Sequence, residues 1–236
     1  MPWLRPQTFS QNAQFAVGPF TNTVVTLGSA VAVGDTLLLE TCVGGDPTTL
    51  APTLTDQLGN TYNRLSVAQG GQLYDSVNLE GMDAWWCIVT VAGTPTITYK
   101  PDTAHKNWIG IKGSHFTGSD AASSRRDSKG ALQTNPGTGA DLITTGSIAA
   151  VAGDLLWGAS GNPGPSFLTE VAGTGFTTST RDATTTLLDE WLTASGAAPV
   201  TFRDPTNGGG SVFMTFGIAI SPAAPAVQNQ LAWVTA

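Results

Sequence analysis

The sequence predicts an all-β protein: an antiparallel, jelly-roll-like β-sandwich with two internally similar halves. Three observations carry that expectation. Helical periodicity is nearly absent along the 236 residues, apolar residues fall in short runs bounded by Gly, Pro, Asn and Asp, and one order of turn and strand residues occurs twice. Thr, Ser, Gly, Ala and Asn stand where charge is missing, and Thr, with its β-branched carbon and polar tip, suits the faces of sheets.

Taken in chain order, the predicted strands are Val24–Leu27, Thr36–Val43, Trp85–Val91, Thr96–Lys100 and Trp108–Lys112 in the first half. The second half supplies Leu155–Ala159, Leu187–Leu192, Val200–Arg203 and Ser211–Ile220. In the last of these, Val212, Met214, Phe216, Ile218 and Ile220 share one face, which should meet a core. Phe213, Thr215, Gly217 and Ala219 share the other, which should lie under a loop or a partner. The run from Phe176 to Ser195 lacks Gly and Pro, but its three consecutive threonines, Thr184–Thr186, oppose a helix and favour a strand.

The repeat sets the organisation. Val31-Ala32-Val33-Gly34-Asp35-Thr36-Leu37-Leu38 is answered by Ala150-Val151-Ala152-Gly153-Asp154-Leu155-Leu156-Trp157. Leu54-Thr55-Asp56 is echoed by Leu168-Thr169-Glu170, Trp85-Trp86 by Trp191, and Gly93–Thr98 by Gly196 with Pro199–Phe202. Residues 21–220 are therefore expected as one sandwich domain with a repeat over about 24–118 and 142–220. Two separate small sandwiches are the alternative to two strand sets interleaved into one. Thr117–Asp141 reads as a polar connection, and Ser119–Lys129 within it as a solvated loop. Residues 1–20 read as an N-terminal arm and 221–236 as a C-terminal tail, whose isolated aromatic residues either pack back on the body or reach a neighbouring subunit.

Charged residues make up 11% of the chain, against roughly 25% in typical soluble domains. The formal net charge of −7 implies an acidic surface that disfavours nucleic acid, with no basic cluster beyond Arg125-Arg126 and Lys129. No apolar run approaches the roughly 18 residues of a membrane span, and no secretory signal is visible at the start, so folding in a cytoplasm is expected. Cys42 and Cys87 lie in strand-like runs and are expected as buried free thiols.

Each candidate for chemistry meets a simpler reading. Asp56-Gln57-Leu58-Gly59-Asn60 reads as a hairpin turn with Gly59 and Asn60 at positive φ, since a calcium loop needs a denser oxygen set. Gly158-Ala159-Ser160-Gly161-Asn162 lacks the final Gly of a nucleophile elbow. His105 and His115 have no orienting carboxylate pattern beside them, and neither they nor the cysteines show zinc-ligand spacing. Glu40, Asp83, Asp189 and Glu190 are the carboxylates a glycoside hydrolase could use, but Asp189 and Glu190, being adjacent on a strand, face opposite ways. Gly208-Gly209-Gly210 lacks the lysine and helix of a phosphate loop and reads as a hairpin tip. No catalytic, cofactor or metal residue is assigned. Trp85, Trp86, Trp108, Trp3 and Trp233 are the candidates for an interface or for stacking against a glycan.

The motifs Gly34-Asp35-Thr36-Leu37-Leu38, Thr55-Asp56-Gln57-Leu58-Gly59-Asn60-Thr61-Tyr62, Trp85-Trp86 and Gly93–Thr98 together resemble a β-sandwich module of bacteriophage virion proteins and bacterial exported proteins. The resemblance spans Val24 to Ile220. It departs at His115, where such modules carry an acid before the aromatic residue. It implies a non-enzymatic virion structural protein, a capsid decoration or cement protein made in the host cytoplasm. The implied partners are further copies of itself, as in a trimer, and a major capsid protein, with neither nucleic acid nor membrane. The alternative is a tail- or fibre-associated adhesin or carbohydrate-binding module.

Overall fold

The computed structural model describes residues 3–14, 20–44, 51–76, 79–101, 108–118, 123–134, 142–161, 170–179, 187–204 and 212–222. The protein is an all-β sandwich structure of antiparallel sheets. The first half carries β1 (Leu4–Gln14), β2 (Thr23–Thr26), β3 (Thr36–Gly44), β4 (Thr53–Asp56), β5 (Asn63–Arg64), β6 (Leu73–Asp75), β7 (Glu80–Ile88), β8 (Thr96–Lys100) and β9 (Trp108–Thr117). The second carries β10 (Ser124–Thr134), β11 (Ile143–Ile148), β12 (Leu155–Gly161), β13 (Val171–Ala172), β14 (Thr177–Thr178), β15 (Leu187–Thr193), β16 (Ala198–Arg203) and β17 (Val212–Ser221).

Each half builds one large and one small sheet. The first half orders its large sheet β1-β9-β3-β7-β5, with β6 also on β7, and its small sheet β2-β8-β4. The second half repeats this as β10-β17-β12-β15-β14 and β11-β16-β13. Pairing is nested within each half: first strand against last, second against second-to-last. The two strand sets are therefore consecutive and not interleaved. Among the described residues every ladder joins strands of one half.

Three apolar cores follow from this arrangement. One fills the first half between its large and small sheets, around Leu37, Leu39, Trp85, Ile97, Tyr99 and Ile111. Another fills the second half, around Leu156, Val200, Phe202, Phe213 and Ala219. The third, which includes Trp157, Phe116, Phe216, Leu38, Met82 and Met214, lies between the two large sheets. The large sheets are thus covered on both faces, and their strands read as continuous apolar runs, as buried strands do. In β17 the face with Phe213 and Ala219, expected under a loop or partner, lies in the core of its own half.

Of the strands the sequence did not suggest, the two longest, β1 and β10, are polar stretches. Leu4–Gln14, within the expected arm, forms β1 and pairs with β9 from Leu4↔Thr117 to Gln14↔Trp108. Trp3 and Phe9 are buried, in the central core and the first-half core, and this anchors the segment. Ser124–Thr134, inside the expected polar connection, forms β10 against β17. Both are edge strands of large sheets, where polar side chains point to water while the backbone is still paired on one side. Of the C-terminal tail, residues 223–236 lie outside the described residues.

The halves meet through reciprocal contacts. At the N-terminal edge of the first half, Trp3 Nε1 donates to the Gly153 carbonyl at 2.9 Å and Arg5 Nη2 to the Thr178 carbonyl at 2.7 Å. In return β10 of the second half crosses the 3₁₀ turn Val67–Gln69 of the first, where Ser128 Oγ donates to the Gln69 carbonyl. There Gly70 and Gly130 touch backbone to backbone: a Cβ on Gly130 would lie 2.0 Å from the Gly70 oxygen. Each half's first strand contacts the other half, as in an isologous dimer interface.

Candidate functional site

Among the described residues the carboxylates of this protein are on the inside. Ten of the twelve described Asp and Glu residues are buried, the other two, Asp56 and Asp127, are partly so, and five acids lie outside the described residues. Carboxylates are among the side chains least often buried, and they are buried only with partners. The expected acidic surface is therefore absent among the described residues.

The most enclosed group lies in the central core. Lys112 on β9 and Asp189 on β15 come from different halves, are 2% and 0% exposed, and are joined by an ion pair with Nζ 2.9 Å from Oδ1. Alternation along β9 sends Lys112, Ser114 and Phe116 to the central face while Ile109 and Ile111 face the first core. Ser114 donates to Asp189 Oδ2, as does Trp157 Nε1 at 3.2 Å. Ser179 donates to Oδ1. Glu40 on β3, fully buried, stands directly opposite Lys112 in the β3–β9 ladder, so both side chains leave the sheet on the same side. Arg5, half-buried, adds positive potential toward Asp189, while desolvation lowers its own pKa. Burial alone would raise the Asp189 carboxyl, but Lys112 and the Ser114 and Ser179 hydroxyls hold it below its ordinary range. The site is a buried amine and carboxyl in contact, with a second buried carboxyl carried by the residue opposite Lys112 in the ladder.

A second pair recurs in both halves with a change of cation. After the turn preceding β3, Asp35 Oδ2 accepts the Ala32 N–H at 2.8 Å, and after the matching turn Asp154 Oδ2 accepts the Val151 N–H at 2.9 Å. Asp35 is paired with His115 at 2.7 Å and Asp154 with Arg126 at 2.6 Å. The other nitrogen of His115 meets Gln7 Nε2, so both ring nitrogens are engaged and the ring is buried. In the first half Arg64 pairs with Asp83 at 2.8 Å beneath the Trp85 ring. Burial raises the Asp83 carboxyl, with Arg64 opposing.

The residues singled out in the sequence fall as follows. Trp85 is buried in the first-half core and donates to Thr41 Oγ1 at 3.0 Å. Trp3 is buried in the central core, and Trp86 is partly buried against it. Trp108 lies on β9, its side chain outside the described residues, as is Trp233. Of the described three, Trp3 and Trp85 are buried and Trp86 keeps part of its surface exposed. Asp56 caps its turn by accepting from the N–H groups of Leu58, Gly59 and Asn60. Gly59 takes positive φ as expected. Asn60 does not; its side chain instead accepts from the Thr90 and Val91 N–H groups. Cys42 and Cys87 are buried free thiols on opposite faces of β3–β7, and burial pushes the Cys87 thiol up to about 12. His105 and Gly208–Gly210 lie outside the described residues.

Of the four carboxylates considered for glycoside hydrolysis, Glu40 and Asp189 do share the central core, and Asp189 and Glu190 do face opposite ways: Glu190 accepts the Gly173 N–H on the second-half side. Lys112 and Ser114, their central-core neighbours, carry no signal of this kind in the sequence. A polar residue in a strand signals a solvent face unless the strand is known to be covered on both sides. No protein-family model, curated protein or solved structure matches this chain.

Proposed function

We propose that this chain is a non-enzymatic structural protein of a bacteriophage virion, a capsid decoration or cement protein that stabilises a particle by surface contact. The observation that carries the reading is the stack of four sheets with its carboxylates turned inward. Lys112, Asp189, His115 and Glu40, the groups chemistry would use, are enclosed and not set in a cleft. The nested pairing of first strand with last and second with second-to-last supports a jelly-roll-like description of each half. The motif resemblance of Gly34–Leu38, Thr55–Tyr62, Trp85-Trp86 and Gly93–Thr98 supplies the virion context. Self-association and a major capsid protein are the partners this reading requires.

The test is the composition of particles made from the genome that encodes the chain. Mass spectrometry should find it in stoichiometric amounts, and shells stripped of it should bind it again and gain resistance to heat. Its absence from purified particles would sink the proposal. A glycan-array signal lost in Trp86→Ala would move it to the adhesin reading.

A further inference from the structure

We propose that Lys112 and Asp189 become joined by an intramolecular amide (isopeptide) bond between Nζ and Cγ, with Glu40 as the proton carrier. Four observations assemble the reaction. Nζ lies 2.9 Å from Oδ1, which places the amine within near-attack range of the carboxyl carbon. Both groups are held on rigid central strands and closed off from water, so the product does not hydrolyse and the reactants do not part. Trp157 Nε1 and Ser114 Oγ both point at Oδ2, where negative charge develops when nitrogen adds to the carbon. Glu40 sits directly across the ladder from Lys112, its fully buried side chain on the same face of the sheet.

The step balances without any co-reactant. The Lys112 ammonium gives one proton through Glu40 to Oδ1 of Asp189, leaving a neutral amine and a neutral carboxylic acid. The nitrogen lone pair adds to Cγ, and the electrons of the C=O bond move to Oδ2. Glu40 then takes a proton from the positively charged nitrogen and passes it to Oδ1, which leaves as water while the Cγ–Oδ2 double bond re-forms. One C–N bond forms, one C–O bond breaks, nothing is oxidised or reduced, and Glu40 ends as the carboxylate it began as. The ion-pair geometry is the reactant state of this condensation. Its product ties β9 of the first half to β15 of the second, across the core that joins the halves.

The experiment is the intact mass of the purified full chain under denaturing conditions, followed by digestion and fragmentation. The expected mass is one water below that of the sequence, with a branched peptide linking the Lys112 and Asp189 segments. Lys112→Arg and Glu40→Gln should each restore the full mass while near-ultraviolet circular dichroism shows native packing. A wild-type chain at full mass with the two segments recovered separately overturns the proposal, and this reading requires no variant to fold. A water deficit located at other residues overturns it as well. A deficit that persists in Glu40→Gln removes Glu40 from the role assigned to it.

Discussion

The two halves share a fold but not the face they turn to each other. Register places Leu38 with Trp157, Trp86 with Trp191, Ala84 with Asp189, Lys112 with Phe216, Ser114 with Ile218 and Glu40 with Ala159. The Lys112–Asp189 pair therefore has an equivalent locus, Phe216 with Ala84, and that locus is apolar and lies in the same central core. One repeat contributed a basic side chain and the other an acidic one, and each kept a hydrophobic residue where its counterpart is charged. A charged locus on one side and an apolar one on the other makes each face complementary to the other and not to itself. Like halves pairing would set Lys112 against Ala84 or Phe216 against Asp189, so that Lys112 loses its aspartate and Asp189 its lysine. That is discrimination by penalty on the wrong pairing.

The strongest way to break this asymmetry is Asp189→Ala. It strands Lys112 and leaves the Ser114, Ser179 and Trp157 donors without their acceptor. Loss of one member of a buried ion pair costs about 3–5 kcal/mol, and urea unfolding monitored by tryptophan fluorescence should record a loss of that size relative to Lys112→Arg, which keeps a cation at the locus but cannot condense. Making the locus resemble its apolar counterpart, with Lys112→Met and Asp189→Leu together, should recover most of it. A double variant no better than the single one would show that the polarity of the locus, and not its completeness, is what stabilises the interface.

Gly130→Ala tests the contact at which the edge strand of one half crosses the other. The added methyl would meet the Gly70 carbonyl, a backbone atom that cannot rotate away, and Gly70 itself holds φ at +81°. Overpacking of this kind costs about 1–3 kcal/mol. The same change at Gly146, where a Cβ meets nothing within 4 Å, should be felt through its positive φ alone. The two can be ranked by denaturation midpoints.

How much of this was legible follows from which physical signal each element carries. The nine strands predicted in the sequence all occur, as β2, β3, β7, β8, β9, β12, β15, β16 and β17, because each buries an apolar run bounded by turn residues. The repeat was visible because Gly34-Asp35 and Gly153-Asp154 close their turns in the same way, with positive φ at the glycine and an aspartate accepting a backbone N–H. β1 and β10 were not, since edge strands bury few side chains and their sequences look like loops. The cluster at Lys112 was not, since nothing local distinguishes a lysine that faces a second sheet from one that faces water. That information is in the stacking of the halves, which no window of sequence contains.

Two acids, one in each half, should give opposite pH responses. Burial holds the Asp83 carboxyl above its ordinary range in the folded protein, so the folded state binds its proton more tightly than the unfolded one. The stability linked to it is present below the ordinary carboxylate range and is lost as pH rises through the raised value. In the uncondensed ion pair Asp189 is held below its ordinary range, so its contribution there is present above that range and is lost as pH falls. Unfolding free energies measured by urea from acid to neutral pH should show wild type losing ground to Asp83→Asn as pH rises. A difference between the two proteins that stays constant with pH would contradict the assignment for Asp83.

The smallest difference concerns the repeated aspartate turn and its two cations. His115 is 3% exposed and lies between Asp35 and Gln7, whereas the Arg126 side chain, at 38% exposed, reaches Asp154 from the edge strand. Removing His115 leaves the Asp35 carboxylate and the Gln7 amide facing a closed space, at a cost of about 2 kcal/mol for the unmet buried hydrogen bonds. Removing Arg126 opens a path for water to Asp154, which keeps the Val151 N–H, so the loss should stay near about 1 kcal/mol or less. Thermal midpoints of His115→Ala and Arg126→Ala, read side by side, should rank in that order. The reverse ranking would mean that Asp154 depends on its arginine as a buried partner, and that the second half, not the first, carries the tighter turn.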